Sequence, residues 1–162
     1  MKKANESQSI DTIIHSFEGY ALGDIKYNKT KPIAAFILGI LFIDQIASFR
    51  YSRGTKSENR VRKFISRYMN EYEPLNLYEN TRDSLAHNYS SKRRFGLTND
   101  ERVTFAWHKQ REHFTINTDI FIRSLEKALH EVSKDFREIG SEAHTNATNR
   151  SIVCPVMVYK DI

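Results

Sequence analysis

A chain of 162 residues, 40% hydrophobic and 28% charged, can build one core of ordinary size but not two, and its apolar content excludes wholesale disorder. Its net charge of +5 suits a polyanionic partner without demanding one. The single cysteine, Cys154, excludes an intramolecular disulfide and a multi-thiolate metal site, while three prolines and six glycines favour long helices over a turn-rich β fold.

Residues 1–8 are polar and lead into no secretory apolar run, so a disordered N-terminus of a cytoplasmic protein is expected ahead of a helical domain over residues 9–140. From Ile10 to about Tyr27, Ile10, Ile13, Ile14, Phe17, Ala21 and Leu22 recur at helical spacing, with Gly19 and Gly23 as weak points. A second helix follows from Pro32, a residue suited to a first helical turn, to about Tyr51. It is apolar nearly all round, as a central bundle helix is, and its longest apolar run, Ile33 to Ile43, falls short of the roughly 20 residues a membrane span requires. One stripe of it reads Ile33, Ile37, Ile40, Asp44, Ala47, Tyr51, which sets the carboxylate of Asp44 in an apolar face and calls for a fixed partner.

Ser57 is the expected N-cap of a third helix running to about Asn70, with Val61, Phe64, Ile65 and Tyr68 inward. The stretch Arg50 to Arg67 holds Arg50, Arg53, Lys56, Arg60, Arg62, Lys63 and Arg67 against the single acid Glu58, and Lys92-Arg93-Arg94 forms a second basic cluster. Such a run is either a solvated helix face or, where it borders a cleft, an RNA-contacting track of Arg50, Arg53, Arg60, Arg62, Lys63 and Arg67. Pro74 precedes a fourth helix, Leu75 to about Tyr89.

Alternating residues then predict a β insertion over about 92–116, a hairpin or three short strands at Arg93-Phe95-Leu97, Val103-Phe105-Trp107 and Phe114-Ile116. Gly96, Asn99 and Asp100 supply turn chemistry between the first two runs. A long helix from about Asn117 to Ile139 buries Phe121, Leu125, Ala128, Leu129, Val132 and Phe136, and Gly140 ends it. Residues 141–162 read as a tail, polar and mobile from Ser141 to Arg150, with a strand over 152–159. The predicted fold is mainly α, a four- to five-helix bundle with a short sheet before the last long helix.

The fourth helix carries the residues with chemistry. At about 100° per residue, Tyr78, Arg82, Leu85 and Tyr89 share one face, so an arginine interrupts an apolar stripe. That placement suggests a buried ion pair, a subunit interface or a site for a phosphate-like group. Asp83 and His87 lie one helical turn apart, where the carboxylate can fix the imidazole tautomer. Arg82 and His87 lie roughly 140° apart on an ideal helix, so they converge only if the guanidinium reaches round, the helix loosens near Asn88, or a second subunit completes the site.

The segment Arg82-Asp83-Ser84-Leu85-Ala86-His87-Asn88-Tyr89 resembles the signature of the HEPN superfamily, the higher-eukaryote-and-prokaryote nucleotide-binding domains. That signature is an Arg and a His a short gap apart late on a bundle helix, often with Asn, Asp or His directly after the Arg. Arg102 to His108, Arg123 to His130 and Arg137 to His144 have the gap without that neighbour. The resemblance implies a metal-independent endoribonuclease without cofactor, dimeric so that two Arg–His pairs line one cleft, and acting as a toxin or defence effector. In it His87 is the acid/base, Arg82 the phosphate clamp and Asp83 the group orienting His87. Tyr89 matches an extended form in toxins paired with a nucleotidyltransferase-type antitoxin, where that tyrosine is adenylylated; otherwise it is a cleft wall. Asp44, from its place in the stripe, is expected to hold Arg82. Two alternatives stand beside the enzyme: a non-catalytic HEPN-like module binding nucleotide, RNA or protein, and a plain helical protein with a buried Arg82–Asp44 ion pair. No metal site is expected, because His108 and His113 lack a ligand-like spacing.

Overall fold

The computed structural model describes residues 10–80, 95–103, 105–108 and 113–150. Helix α1, residues 10–27, buries Ile10, Ile14, Phe17, Leu22 and Ile25, and it widens into a π-helical turn at Phe17–Ala21, around Gly19. The side chain of Asn28 closes it by donating to the Asp24 carbonyl at 2.9 Å. Helix α2, Pro32–Arg50, is the central element, packed by α1 and by the later helices. By length and apolar composition it is a candidate membrane span; here it buries Phe36, Phe42, Ile43 and Ile46 against the rest of the chain.

The innermost line of α2 is Phe36, Ile43 and Ile46; of the stripe that includes Asp44, Ile40 and Ala47 are buried. Ile33 at that stripe's start is 47% exposed and Asp44 is half-buried, so the carboxylate sits at the border of the core. Helix α3, Ser57–Tyr68, turns Val61, Phe64 and Ile65 inward as its periodicity predicts. Its start corrects the expected cap. Lys56 occupies the N-cap and Ser57 is the first helical residue, with its hydroxyl donating to Asp44 Oδ1 at 2.5 Å instead of to its own helix.

A 3₁₀ turn, Asn70–Leu75, contains Pro74, and Asn76 then takes φ +44° before α4, residues 77–80. The fourth helix therefore starts after Asn76 and not at Leu75. The pause has a physical cause: proline has no N–H to continue the turn, and asparagine tolerates the left-handed region that reverses the chain. Asn80 secures the new helix by donating from Nδ2 to the Leu75 carbonyl at 2.8 Å.

The β insertion forms three strands, β1 Phe95–Thr98, β2 Phe105–His108 and β3 His113–Asn117, in the order β1-β3-β2. The antiparallel pair is β2 with β3, whereas β1 runs parallel to β3, with Leu97 opposite Ile116. The turn residues after β1 thus lead to a strand on the far side of β3. Asn117 joins sheet to helix. Its Nδ2 donates to the carbonyls of Asp100 at 3.0 Å and Val103 at 2.9 Å, and its Oδ1 accepts from the amides of Asp119 and Ile120 as the N-cap of helix α5, Thr118–Arg137.

Helix α5 presents the predicted stripe, with Phe121, Leu125, Leu129, Val132 and Phe136 buried. Phe121 packs at 4.7 Å between ring centroids on Phe36 of α2. Gly39 of α2 makes that approach possible, since a Cβ there would lie 2.5 Å from Phe121 Cε1. Gly140 adopts φ +91° in the turn after α5, a conformation that favours glycine.

The mobile tail expected over Ser141–Arg150 is instead a helix, α6, Glu142–Arg150. The Ser141 hydroxyl accepts from the His144 amide at 3.0 Å, and Ala143, His144 and Ala147 are buried. Two alanines and a histidine give too faint an apolar pattern to announce a helix, yet small side chains let it lie close to α2 and α5. The strand expected over 152–159 and the disordered start expected over 1–8 lie outside the described residues.

Candidate functional site

Arg82, Asp83, His87 and Tyr89, together with Lys92–Arg94, fall within residues 81–94 and lie outside the described residues. Asp44 on α2 and Tyr78 on α4 line one small cleft with Ile40, Val61, Ile65 and Leu77, of about 10 Å³, room for roughly one water. Among the described residues Asp44 accepts from the Ser57 hydroxyl, and no cation pairs with it. A half-buried carboxylate satisfied by one hydroxyl retains acceptor capacity for a further donor.

The basic stretch divides into two groups. Arg50, Arg67 and Tyr68 converge on one acid from α5: Asp135 Oδ2 accepts from Arg50 Nε at 3.2 Å, from Arg67 Nη2 at 3.1 Å and from the Tyr68 hydroxyl in a short bond. The Arg50 side chain is 11% exposed and that of Asp135 21%, so their attraction is poorly screened. Burial opposes the charge of Arg50, but Tyr68, Tyr51 and Asp135 outweigh it and raise its pKa above the ordinary arginine value. Burial, and then the bond to Asp135, pushes the Tyr68 phenol up to about 12. Arg62 is matched by Glu58 at 2.8 Å and more loosely by Glu79 at 3.5 Å, and Lys63 lies 6.0 Å from the Tyr51 ring centroid.

Counting acids within the stretch hides this neutralisation, because Asp135 and Glu79 arrive from other helices. Among the described residues Arg53 and Arg60 donate to backbone carbonyls, those of Asn149 and Thr55 respectively. They belong to a group that the run alone could not define, since Arg150 completes it from α6.

Beside the Asp135 network a polar groove of about 480 Å³ runs between α3 and α5, lined by residues that include Arg67, Glu71, Ser124 and Lys127. Its charges are mixed and partly matched, Ser124 donating to Glu71 at 2.9 Å and Lys134 pairing with Glu131. Of the other spaced Arg and His residues, Arg137 pairs with Asp11, while His144 is buried with Nδ1 2.7 Å from the Phe136 carbonyl.

Comparison of the chain with protein-family models, curated proteins and solved structures returns no match. The HEPN resemblance therefore rests on the chain's own residues.

Proposed function

We propose that the chain is a metal-independent endoribonuclease of HEPN type, working as a homodimer whose Arg82 and His87 side chains share a cleft. The supporting observation is Asp44. It is a half-buried acid on the central helix with no cation partner among the described residues, and it lines a cleft with Tyr78, the residue one helical turn before Arg82 in sequence. An arginine continuing that register would find a ready carboxylate, leaving its remaining donors for a phosphate. The mainly helical bundle with its central α2 supplies the kind of frame this chemistry uses.

In this reading the ribose 2′-oxygen attacks the adjacent phosphorus as its proton passes to His87. The bond from phosphorus to the 5′-oxygen breaks, and that oxygen takes a proton from the acidic imidazolium of the site. A positioned acid/base of near-neutral pKa contributes about 10²–10⁴-fold, and Arg82 opposes the charge growing on the phosphorane. A second subunit supplies the convergence that one ideal helix denies to Arg82 and His87. Tyr89 is then the adenylylation target of a nucleotidyltransferase-type antitoxin.

The test is incubation of RNA with the purified chain in EDTA. Cleavage by the wild type and none by a folded Arg82→Ala/His87→Ala double variant is expected; equal cleavage by both removes the proposal. A second reading, a non-catalytic module binding RNA or nucleotide, draws on the cationic groups of Arg53 and Arg60, which no carboxylate matches among the described residues. It predicts salt-sensitive binding with no strand scission.

A further inference from the structure

The loop between α2 and α3 and the last residue of α6 bring three guanidinium groups to the start of α3. Arg60, within the first turns of α3, reaches back past the helix start, and its Nη1 donates to the Thr55 carbonyl at 2.6 Å. Arg53 Nη2 donates to the carbonyl of Asn149, the residue before Arg150, at 3.4 Å. Burial, with the charges of Arg60 and Arg53 behind it, lowers the pKa of Arg150 below the ordinary arginine value. No carboxylate pairs with any of the three among the described residues.

Two further features point the same way. Nε of Arg60 and Nε of Arg150 are both buried and donate to no described group. Buried N–H donors of charged groups are costly to leave without acceptors. The helix start beside them is also uncapped by any side chain: Lys56 makes no capping bond, Ser57 is turned to Asp44, and Glu58 is turned to Arg62. The first-turn amides and the positive end of the α3 dipole are thus added to three clustered cations. The carbonyl of Asn149 at the end of α6 offsets part of this charge, but a carbonyl dipole cannot balance three cations.

We propose that Arg53, Arg60 and Arg150, grouped at the uncapped start of α3, bind a phosphate group. A tetrahedral dianion has several acceptor oxygens, matches the planar fork of guanidinium donors, and neutralises more of the cluster than a halide does. The site includes neither Arg82 nor His87, so it stands whether or not the chain cleaves RNA.

The full chain is titrated calorimetrically with inorganic phosphate, adenosine 5′-monophosphate and adenosine, with sodium chloride holding the ionic strength constant. Saturable binding of phosphate and of the monophosphate, and none of adenosine, is expected. Arg60→Gln and Arg150→Gln should each weaken phosphate binding at least about tenfold, equivalent to about 1.4 kcal/mol, and Arg137→Gln, on the far side of an Asp11 ion pair, should not. Much tighter binding of the monophosphate identifies the phosphate as a nucleotide's; equal binding identifies the free anion. If the glutamine variants fail to fold, Arg60→Lys and Arg150→Lys keep the charge without the fork and should bind phosphate measurably less tightly. Phosphate heats equal to those of chloride, or binding unchanged in folded Arg60 and Arg150 variants, overturn the site.

Discussion

Asp135 is the residue on which the most polar chemistry converges, and the sequence offered no sign of it beyond an acid on the outer side of a predicted helix. With Arg50 and Tyr68 both turned to it, its loss strands a nearly buried cation and a partly buried phenol. Asp135→Asn should lower unfolding free energy by about 3 kcal/mol, as expected when one partner of a buried pair is removed. Arg67→Ala removes a donor whose side chain is 55% exposed, and should cost less than about 1 kcal/mol. Urea denaturation of both variants checks the ratio; equal effects would show that burial does not set the strength of the network. Tyr68 and Tyr72, both pushed up to about 12 chiefly by burial, hold their protons more tightly in the folded chain than in the unfolded one. Their contribution is whole below the unfolded tyrosine pKa of about 10 and is lost as pH rises toward the folded value. The urea midpoint should therefore fall between about pH 10 and 12, with a smaller fall in Tyr68→Phe. A midpoint constant across that window would contradict this. Asp44 was legible as an acid needing a partner, but Ser57 as that partner was not, because good capping chemistry pointed the serine at its own helix.

At the scale of elements, periodicity served well where apolar side chains are large. Residues 10–27, Pro32–Arg50, Ser57–Tyr68 and Thr118–Arg137 are helices close to their predicted bounds. It failed for α6, whose buried face is Ala143, His144 and Ala147, and it could not foresee that β1 would pair parallel to β3, since strand order is a long-range choice. Gly39 also gave no local signal, because its role depends on Phe121 from a distant helix. Gly39→Ala gains helix propensity yet forces a 2.5 Å contact to relax, so a net loss of about 1–3 kcal/mol is expected from overpacking. A thermal melt at or above the wild type would show that α2 and α5 can separate freely. Asn117 both caps α5 and ties down the loop after β1. Asn117→Ala should cost about 2 kcal/mol, the upper range for a cap, and amide exchange should accelerate in residues 99–103. Stabilisation or unchanged exchange would deny it the second task.

For the whole molecule, the mainly helical bundle with a small sheet before its last helices was legible from pattern alone. The expected centre of chemistry, Arg82 to Tyr89, was equally visible as a motif, but a motif carries no geometry. The described frame contributes Asp44 and Tyr78 on one cleft, and among the described residues Arg53 and Arg60 are the arginines of the basic stretch that no carboxylate matches. The chemistry proposed for His87 and Arg82 leaves its own mark on the product, independent of which RNA is cut. The most direct measurement is mass spectrometry of the fragment ends after cleavage in EDTA by the wild type and by His87→Ala with an unchanged circular dichroism spectrum. The account predicts 2′,3′-cyclic phosphate ends from the wild type alone; 3′-hydroxyl ends, or the same fragments from the histidine variant, would contradict it.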